Sequence, residues 1–416
     1  MALGLVTFSS CDDDDDDATP VVQYIRPTDA NVADSLMERV SMGQTIAVMG
    51  SGFEDVNQIL FNDQKALVVP TYVTDNCIIV TVPTSSWTVQ NDSLTLITRG
   101  GQRVQYYLPV NKTAPRILTA SIEYPKAGDE MTILGSGFFK DDDQLSVSFP
   151  GVGDVPFTYV SENELKVTVP EGVVKGPIRI SSAFGSGKSS FNLMENEGIL
   201  FNFDEGLEQQ GWHPQKVVTF DGAIAGNCLQ LGDGSAKLED NTWDDGHFSF
   251  EYWAGSWDDP EVFDQEGQGK ALYNVADFSD WKNMCLKFEM YIPKSNPWAN
   301  LSMQIIFAGV KTVSLSGNGG QSAGANNAHF QGENLARAHY NPWKDNGGSF
   351  DTDDKWITVT VPFSSFTYGQ TGTSPAQTLT SSADFASLTM FIWSGETSGT
   401  ECYPIIYIDN IRVAQY

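Results

Sequence analysis

Two Asn-Pro-Trp triplets stand in the C-terminal half of this 416-residue chain, in SNPWAN at Ser295–Asn300 and in YNPWKD at Tyr340–Asp345. Proline fixes its own φ and biases the residue before it toward extended geometry, so each tryptophan occupies a stiff loop corner. A ring held in this way loses little rotamer freedom when a ligand settles on it. Trp298 and Trp343, with Tyr340 beside the second triplet, are therefore candidate binding groups. The alternative for each triplet is an ordinary turn whose tryptophan caps a core.

Strand alternation adds three more candidates. In HFSFEYWAGSW, Phe248, Phe250 and Tyr252 fall on one face, and Ser249, Glu251 and Trp253 on the other. Trp253 shares a face with polar residues, which places it either on an exposed aromatic surface or under a loop. Trp257 follows four residues later. In LKFEMYI, Leu286, Phe288, Met290 and Ile292 point inward, leaving Lys287, Glu289 and Tyr291 outside.

Aromatic rings without positive charge suit the apolar C–H faces of pyranose rings, with Asn, Gln, Asp and Glu to hydrogen-bond the hydroxyls. One stack hides on the order of 100 Å², or ~2.5 kcal/mol gross. Two or three stacks, less the cost of association, predict roughly micromolar to millimolar affinity. The charge agrees with a neutral ligand. Lys and Arg total 24 against 53 Asp and Glu, a net charge of −29. Setting aside the six aspartates at Asp12–Asp17 still leaves −23. Nucleic acid, anionic membrane surfaces and polyanionic polysaccharides are all repelled by such a surface.

Catalysis has a weaker basis. Asp244, Asp245, Glu251, Asp258, Asp259 and Glu261 offer carboxylate pairs of the kind a glycoside hydrolase needs, but 53 acidic residues make chance pairs certain. No Ser/His/Asp order or metal motif is present. Cys77, Cys228, Cys285 and Cys402 match no zinc spacing, and only four histidines accompany them. At most one disulfide forms among the three C-terminal cysteines, with buried free thiols as the alternative. No cofactor is expected; calcium is compatible with the acidity but called for by no motif.

These residues must be positioned by strands, because helix signals are nearly absent. One segment occurs twice. GSGF at Gly50–Phe53 returns at Gly135–Phe138, TYVTDN at Thr71–Asn76 returns as TYVSEN at Thr158–Asn163, and VTVP at Val80–Pro83 returns at Val167–Pro170. The offsets of 85, 87 and 87 residues mark two copies of one domain. Alternating strands, glycine turns and proline strand ends read as Ig-like sandwiches. From residue 198 onward the chain holds nine of its ten tryptophans, and strand patterns such as LSMQIIF, WITVTVP and SLTMFIW continue. The fold class is all-β: two tandem Ig-like sandwiches, then a larger sandwich like a carbohydrate-binding module. The expected boundaries are 1–20, 21–110, 111–194 and 195–416.

The paired GxGF and VxVP motifs resemble the IPT/TIG type of Ig-like domain, which implies fold more than function. Each copy reads as a spacer, two in series reaching ~60 Å. MALGLVTFSSC resembles the end of a bacterial lipoprotein signal, with Cys11 as the lipidated residue; the alternative is a frayed terminus with a chance cysteine. The acidic run after it resembles the surface-export signal of Bacteroidetes lipoproteins.

Taken whole, the leash, the two IPT/TIG-like copies, DKWITVTVPFSSF and the closing YIDNIRV resemble the surface glycan-binding lipoproteins of Bacteroidetes at the SusE-like position. The aromatic loops are similar to those of the xyloglucan- and β-glucan-binding members. The resemblance implies an outer-membrane, lipid-anchored, cell-surface protein that captures a neutral polysaccharide without cleaving it and feeds a SusC/SusD-like importer. A surface adhesin or structural protein with a protein partner, or a glycoside hydrolase, are the alternatives.

Overall fold

The computed structural model describes residues 19–32, 34–140, 144–207, 216–254, 269–309, 336–372, 378–393 and 398–416. Cys11 and Trp257 lie outside them. No helix among the described residues is long and apolar enough to cross a membrane.

Strands dominate throughout. In the first repeat, one sheet runs in the order Val21–Pro27, Thr45–Ser51, Cys77–Thr81. The other runs Gln64–Lys65, Val56–Phe61, Ser93–Thr98, Arg103–Tyr107. Ile46, Val48 and Val80 of one meet Ile59, Phe61 and Leu96 of the other in a closed apolar core. The second repeat stacks Arg116–Ala120, Glu130–Ser136, Glu164–Thr168 and Thr158–Ser161 against Gly153–Val155, Ser146–Phe149, Arg179–Ser182 and Gly185–Lys188.

The repeated GSGF has the same steric cause in both copies. A Cβ on Gly50 would stand 1.9 Å from the Val21 carbonyl oxygen and 2.5 Å from the Phe53 ring. On Gly135 it would stand 2.1 Å from the Arg116 oxygen and 2.5 Å from the Phe138 ring. Gly52 and Gly137 then turn the chain at φ +75° and +73°, a region that favours glycine. The turn drives Phe53 and Phe138 wholly into their cores.

The C-terminal sandwich also has two sheets. The first runs Lys216–Val218, Cys228–Leu231, Ile406–Gln415, Met284–Tyr291, Ile357–Pro362, with Ile199–Phe201 pairing to Ile406–Gln415. The second runs Ser249–Tyr252, Ser387–Ile392, Met303–Ala308, Arg337–Tyr340. Between them lies a large core that includes Phe250, Leu286, Phe288, Met303, Ile305, Met390 and Ile408. The four described cysteines are all free thiols, three of them buried.

Both junctions between domains are built from side chains. At the first, the Lys112 ammonium sits 4.8 Å from the Phe139 ring centre, 5.4 Å from that of Trp87 and 5.6 Å from that of Phe184. At the second, the face of Met284–Tyr291 that carries Lys287 and Glu289 turns toward the second repeat instead of solvent. Glu123, in the turn after Arg116–Ala120, accepts from Lys287 Nζ and, at 2.7 Å, from Arg412 Nη2. Arg412 also forks onto Glu289 at 2.7 and 3.1 Å. Glu123 N donates to Thr358 Oγ1, which donates in turn to Glu289 Oε1. Glu123, Lys287, Glu289 and Arg412 are all buried, so two carboxylates and two cations balance away from water.

Candidate functional site

The C-terminal sandwich has an aromatic cluster outside its core. In the second sheet, Phe250, Tyr252, Leu388, Met390, Ile392, Met303, Ile305 and Phe307 face inward. Alternation therefore sends Ser249, Glu251, Phe391, Thr389, Gln304, Ile306, Arg337 and His339 to the other face. Strand register arranges them in rows: Ser249, Phe391, Gln304 and His339 lie across the sheet, and next to them Glu251, Thr389, Ile306 and Arg337. At ~4.8 Å per strand the face is roughly 14 Å wide.

Aromatic rings crowd this face. Phe391 and Trp393 are stacked at 5.8 Å, and Trp243 meets them edge-on at 5.3 and 4.8 Å. With Ile306 and Trp253 they form an apolar cluster separate from the main core, in which Ile306, Phe391 and Trp393 are buried and Trp243 and Trp253 half-buried. Trp243 arrives on the loop ahead of the short Asp245–Phe248 helix, whose N-cap Asp244 accepts from His247 N.

Polar groups on the same face are held in place. Arg337 Nη1 donates to Gln304 Oε1 at 2.7 Å, and Gln304 Nε2 donates to the Trp393 carbonyl at 2.8 Å. The His339 ring meets the Gly369 carbonyl through Nε2 at 2.9 Å, and Ser249 Oγ donates to Glu251 at 2.9 Å. Arg337, Gln304 and Glu251 are almost wholly buried. These internal bonds fix the sheet face against which the half-buried Trp243 and Trp253 pack, so those two rings can receive a ligand with little reorganisation. On the four strands the described outer face carries one carboxylate, Glu251. Among the described residues no cluster of His, Cys, Asp or Glu is arranged to hold a metal.

The expected site residues divide. Trp253 lies on this face, half-buried in its aromatic cluster; Trp257 lies outside the described residues. Trp298 and Trp343 do not form an exposed platform. Trp298 is 0 % and Trp343 4 % exposed, both inside the main core. Their indoles donate to the Asn300 and Leu301 carbonyls at 2.6 and 2.8 Å. The stiff Asn-Pro corners turn the rings inward, where the 299–302 loop supplies acceptors and the rings plug the end of the sandwich. Tyr340 packs against Trp298 and Phe288 on the core side, and burial pushes its hydroxyl pKa up. Tyr291 belongs to the other sheet, in an aromatic group with Phe220, Trp356 and Tyr407 at the junction with the second repeat.

Trp243, Phe391, Trp393, Gln304 and Arg337 were not singled out from sequence. The signal for two of them was present: in SLTMFIW, placing Leu388, Met390 and Ile392 inward puts Phe391 and Trp393 on the opposite face.

Comparison with known proteins follows from this geometry. Residues 193–415 match the family described as the surface glycan-binding protein B xyloglucan binding domain, and residues 36–109 match the IPT/TIG domain. The crystal structure of surface glycan-binding protein PbSGBP-B from Prevotella bryantii is similar at 37 % identity and a TM-score of 0.72, over 95 % of this chain and 99 % of that one. An IPT/TIG domain-containing protein of Bacteroides ovatus is 37 % identical over 149 residues, covering 34 % of this chain and 30 % of that relative's length.

Proposed function

This chain belongs to the surface glycan-binding protein B family, and from that premise we propose that it captures a neutral β-glucan or xyloglucan, uncleaved, at the cell surface. The captured chain passes to a SusC/SusD-like importer. Cys11 carries the lipid that anchors the protein in the outer membrane, and the aspartates after it form the leash.

The observation that carries this reading is the Trp243–Phe391–Trp393 cluster outside the sandwich core, beside the fixed Arg337–Gln304 pair. Trp253 extends the same surface. The half-buried Trp243 and Trp253 rings stack on sugar faces, while the buried Phe391, Trp393, Arg337 and Gln304 fix the sheet face they pack on, an arrangement that binds without transferring anything. Glycoside hydrolysis needs two carboxylates flanking the bond, and Glu251 is the single one on the described strand face. That Glu251 carboxylate is buried and accepts from Ser249 Oγ.

Binding of the full chain to xyloglucan, mixed-linkage β-glucan, xylan, mannan and chitin tests the proposal, with Trp393→Ala and Trp243→Ala in parallel. The expected result is micromolar-to-millimolar affinity for a β-glucan or xyloglucan, reduced tenfold or more in both variants, with no reducing ends released. A wild-type chain that binds none of the five defeats the glycan reading and favours a protein partner. Binding that both variants retain moves the site elsewhere.

A further inference from the structure

We infer that the cleft between the second Ig-like domain and the C-terminal sandwich is a second saccharide site, so that this Ig-like domain takes part in binding as well as in spacing. The inference rests on the glycan reading above but uses a different surface.

The cleft has a volume of about 450 Å³, within the ~300–1,000 Å³ usual for small-ligand sites. Its aromatic wall is Tyr291 and Trp356, whose ring centres lie 5.7 Å apart at 48°. Tyr291 ends one strand and Trp356 stands just ahead of its neighbour, since Met290 pairs with Ile357. The opposite wall belongs to the second repeat and includes Lys126 and Asp129. Lys355 closes the rim by reaching across to Glu130 at 3.6 Å.

Three features make this a site. First, its aromatic wall is fixed: Trp356 Nε1 donates to the Gly222 carbonyl at 2.6 Å, and Lys126 Nζ reaches the same oxygen at 3.3 Å. Second, the Tyr291 hydroxyl makes no hydrogen bond among the described residues, and burial and the nearby Asp354 keep it protonated as a donor. Third, the two walls are tied together: the buried Glu123–Lys287–Arg412–Glu289 network joins the two domains one residue on from Ile122, which lines the cleft. A preformed pocket with an aromatic wall, a free hydroxyl and mixed charges at its rim fits a short stretch of neutral sugar, which offers C–H faces and hydroxyls together.

The test is calorimetry on the full chain with two probes, a xyloglucan oligosaccharide and a mixed-linkage β-glucan oligosaccharide. Tyr291→Phe removes the hydroxyl and keeps the ring packing; Lys126→Met keeps the stem and removes the charge. Hydrogen exchange of segments 126–130 and 353–357 is followed with and without saccharide. The expected result is two saccharides per wild-type chain. The weaker event should fall about tenfold in Tyr291→Phe and in Lys126→Met, persist in Trp393→Ala, and protect both segments. One saccharide per chain, lost in Trp393→Ala and indifferent to Tyr291→Phe, overturns the cleft site and leaves the proposed function standing. Binding lost in Tyr291→Phe but kept in Trp393→Ala supports the cleft and removes the outer-face site. No binding of either probe overturns both.

Discussion

Glu123 and Arg412, 289 residues apart in the chain, meet at 2.7 Å with both side chains almost wholly buried. One comes from a turn of the second Ig-like domain, the other from the last strand of the C-terminal sandwich. Burial works against the Arg412 charge, but Glu289 and Glu123 outweigh it and hold the guanidinium protonated. The Tyr124 ring lies 4.8 Å beneath it. Such a network gives little net stability against an apolar replacement, yet losing one member strands its partners. It fixes how the two domains meet.

Arg412→Met should therefore be severe. It leaves Glu123 with Lys287 alone and Glu289 with no buried cation. A loss of about 3–5 kcal/mol in urea denaturation is expected. Glu123→Gln combined with Lys287→Met removes one charge of each sign and should cost less than Arg412→Met. A milder loss for Arg412→Met than for the pair would mean that the junction is wet.

The first junction is expected to yield more gently. Lys112 is surrounded by the rings of Trp87, Phe139 and Phe184, and Phe139 and Phe184 meet edge-to-face at 5.8 Å. Lys112→Met keeps the apolar stem and removes the charge, so ~0.5–2 kcal/mol is lost. Small-angle scattering should show a broader distribution of interdomain distances, while glycan affinity stays the same. An unchanged scattering profile would mean the rings alone hold the joint.

The all-β fold was open to reading because its signals are local. Strand alternation needs only two residues to repeat, and GSGF announces a glycine turn whose steric cause is identical in both copies. The direction of the Asn-Pro-Trp rings was not. Proline stiffens the backbone at Trp298 and Trp343 but says nothing about which side of the loop the core occupies. Lys287 and Glu289 looked solvent-facing for a related reason: alternation separates two faces of a strand and is blind to a neighbouring domain that covers the polar one. Trp253 could be assigned to a face, and Trp393 by the same rule, because each lies at the end of a regular strand.

Asp409 gives a pH prediction. It is 2 % exposed, and burial, then Glu289 and Asp204, push its pKa up to about 8. The unfolded value is near ~3.9. Between those two values the folded protein keeps a proton that the unfolded chain has released. Stability should fall as pH rises from about 4 through 8 and level off above that. Asp409→Asn keeps an oxygen for the Asn410 N–H, which Oδ1 now accepts at 2.7 Å. The variant's advantage should be near zero at pH 4 and reach a few kcal/mol by pH 9. Urea denaturation at pH 5, 7 and 9 checks this; an Asn variant less stable than wild type at pH 9 would show the carboxylate ionised and well partnered.

The two classes of tryptophan should respond in opposite ways. Trp298 fills the core end and donates to the Asn300 carbonyl. Trp298→Ala leaves a cavity and an unpaired loop carbonyl, costing about 3–5 kcal/mol. The fraction that stays folded at low temperature should still bind glycan with near wild-type affinity, because the outer-face rings are untouched. Trp243, half-buried, packs edge-on against Phe391 and Trp393 in the separate cluster, so Trp243→Ala should lose glycan affinity before it loses the fold. Thermal unfolding and glycan titration on both variants separate the roles. If Trp298→Ala loses affinity at temperatures where circular dichroism reports a native sandwich, the loop it plugs is itself part of the binding surface.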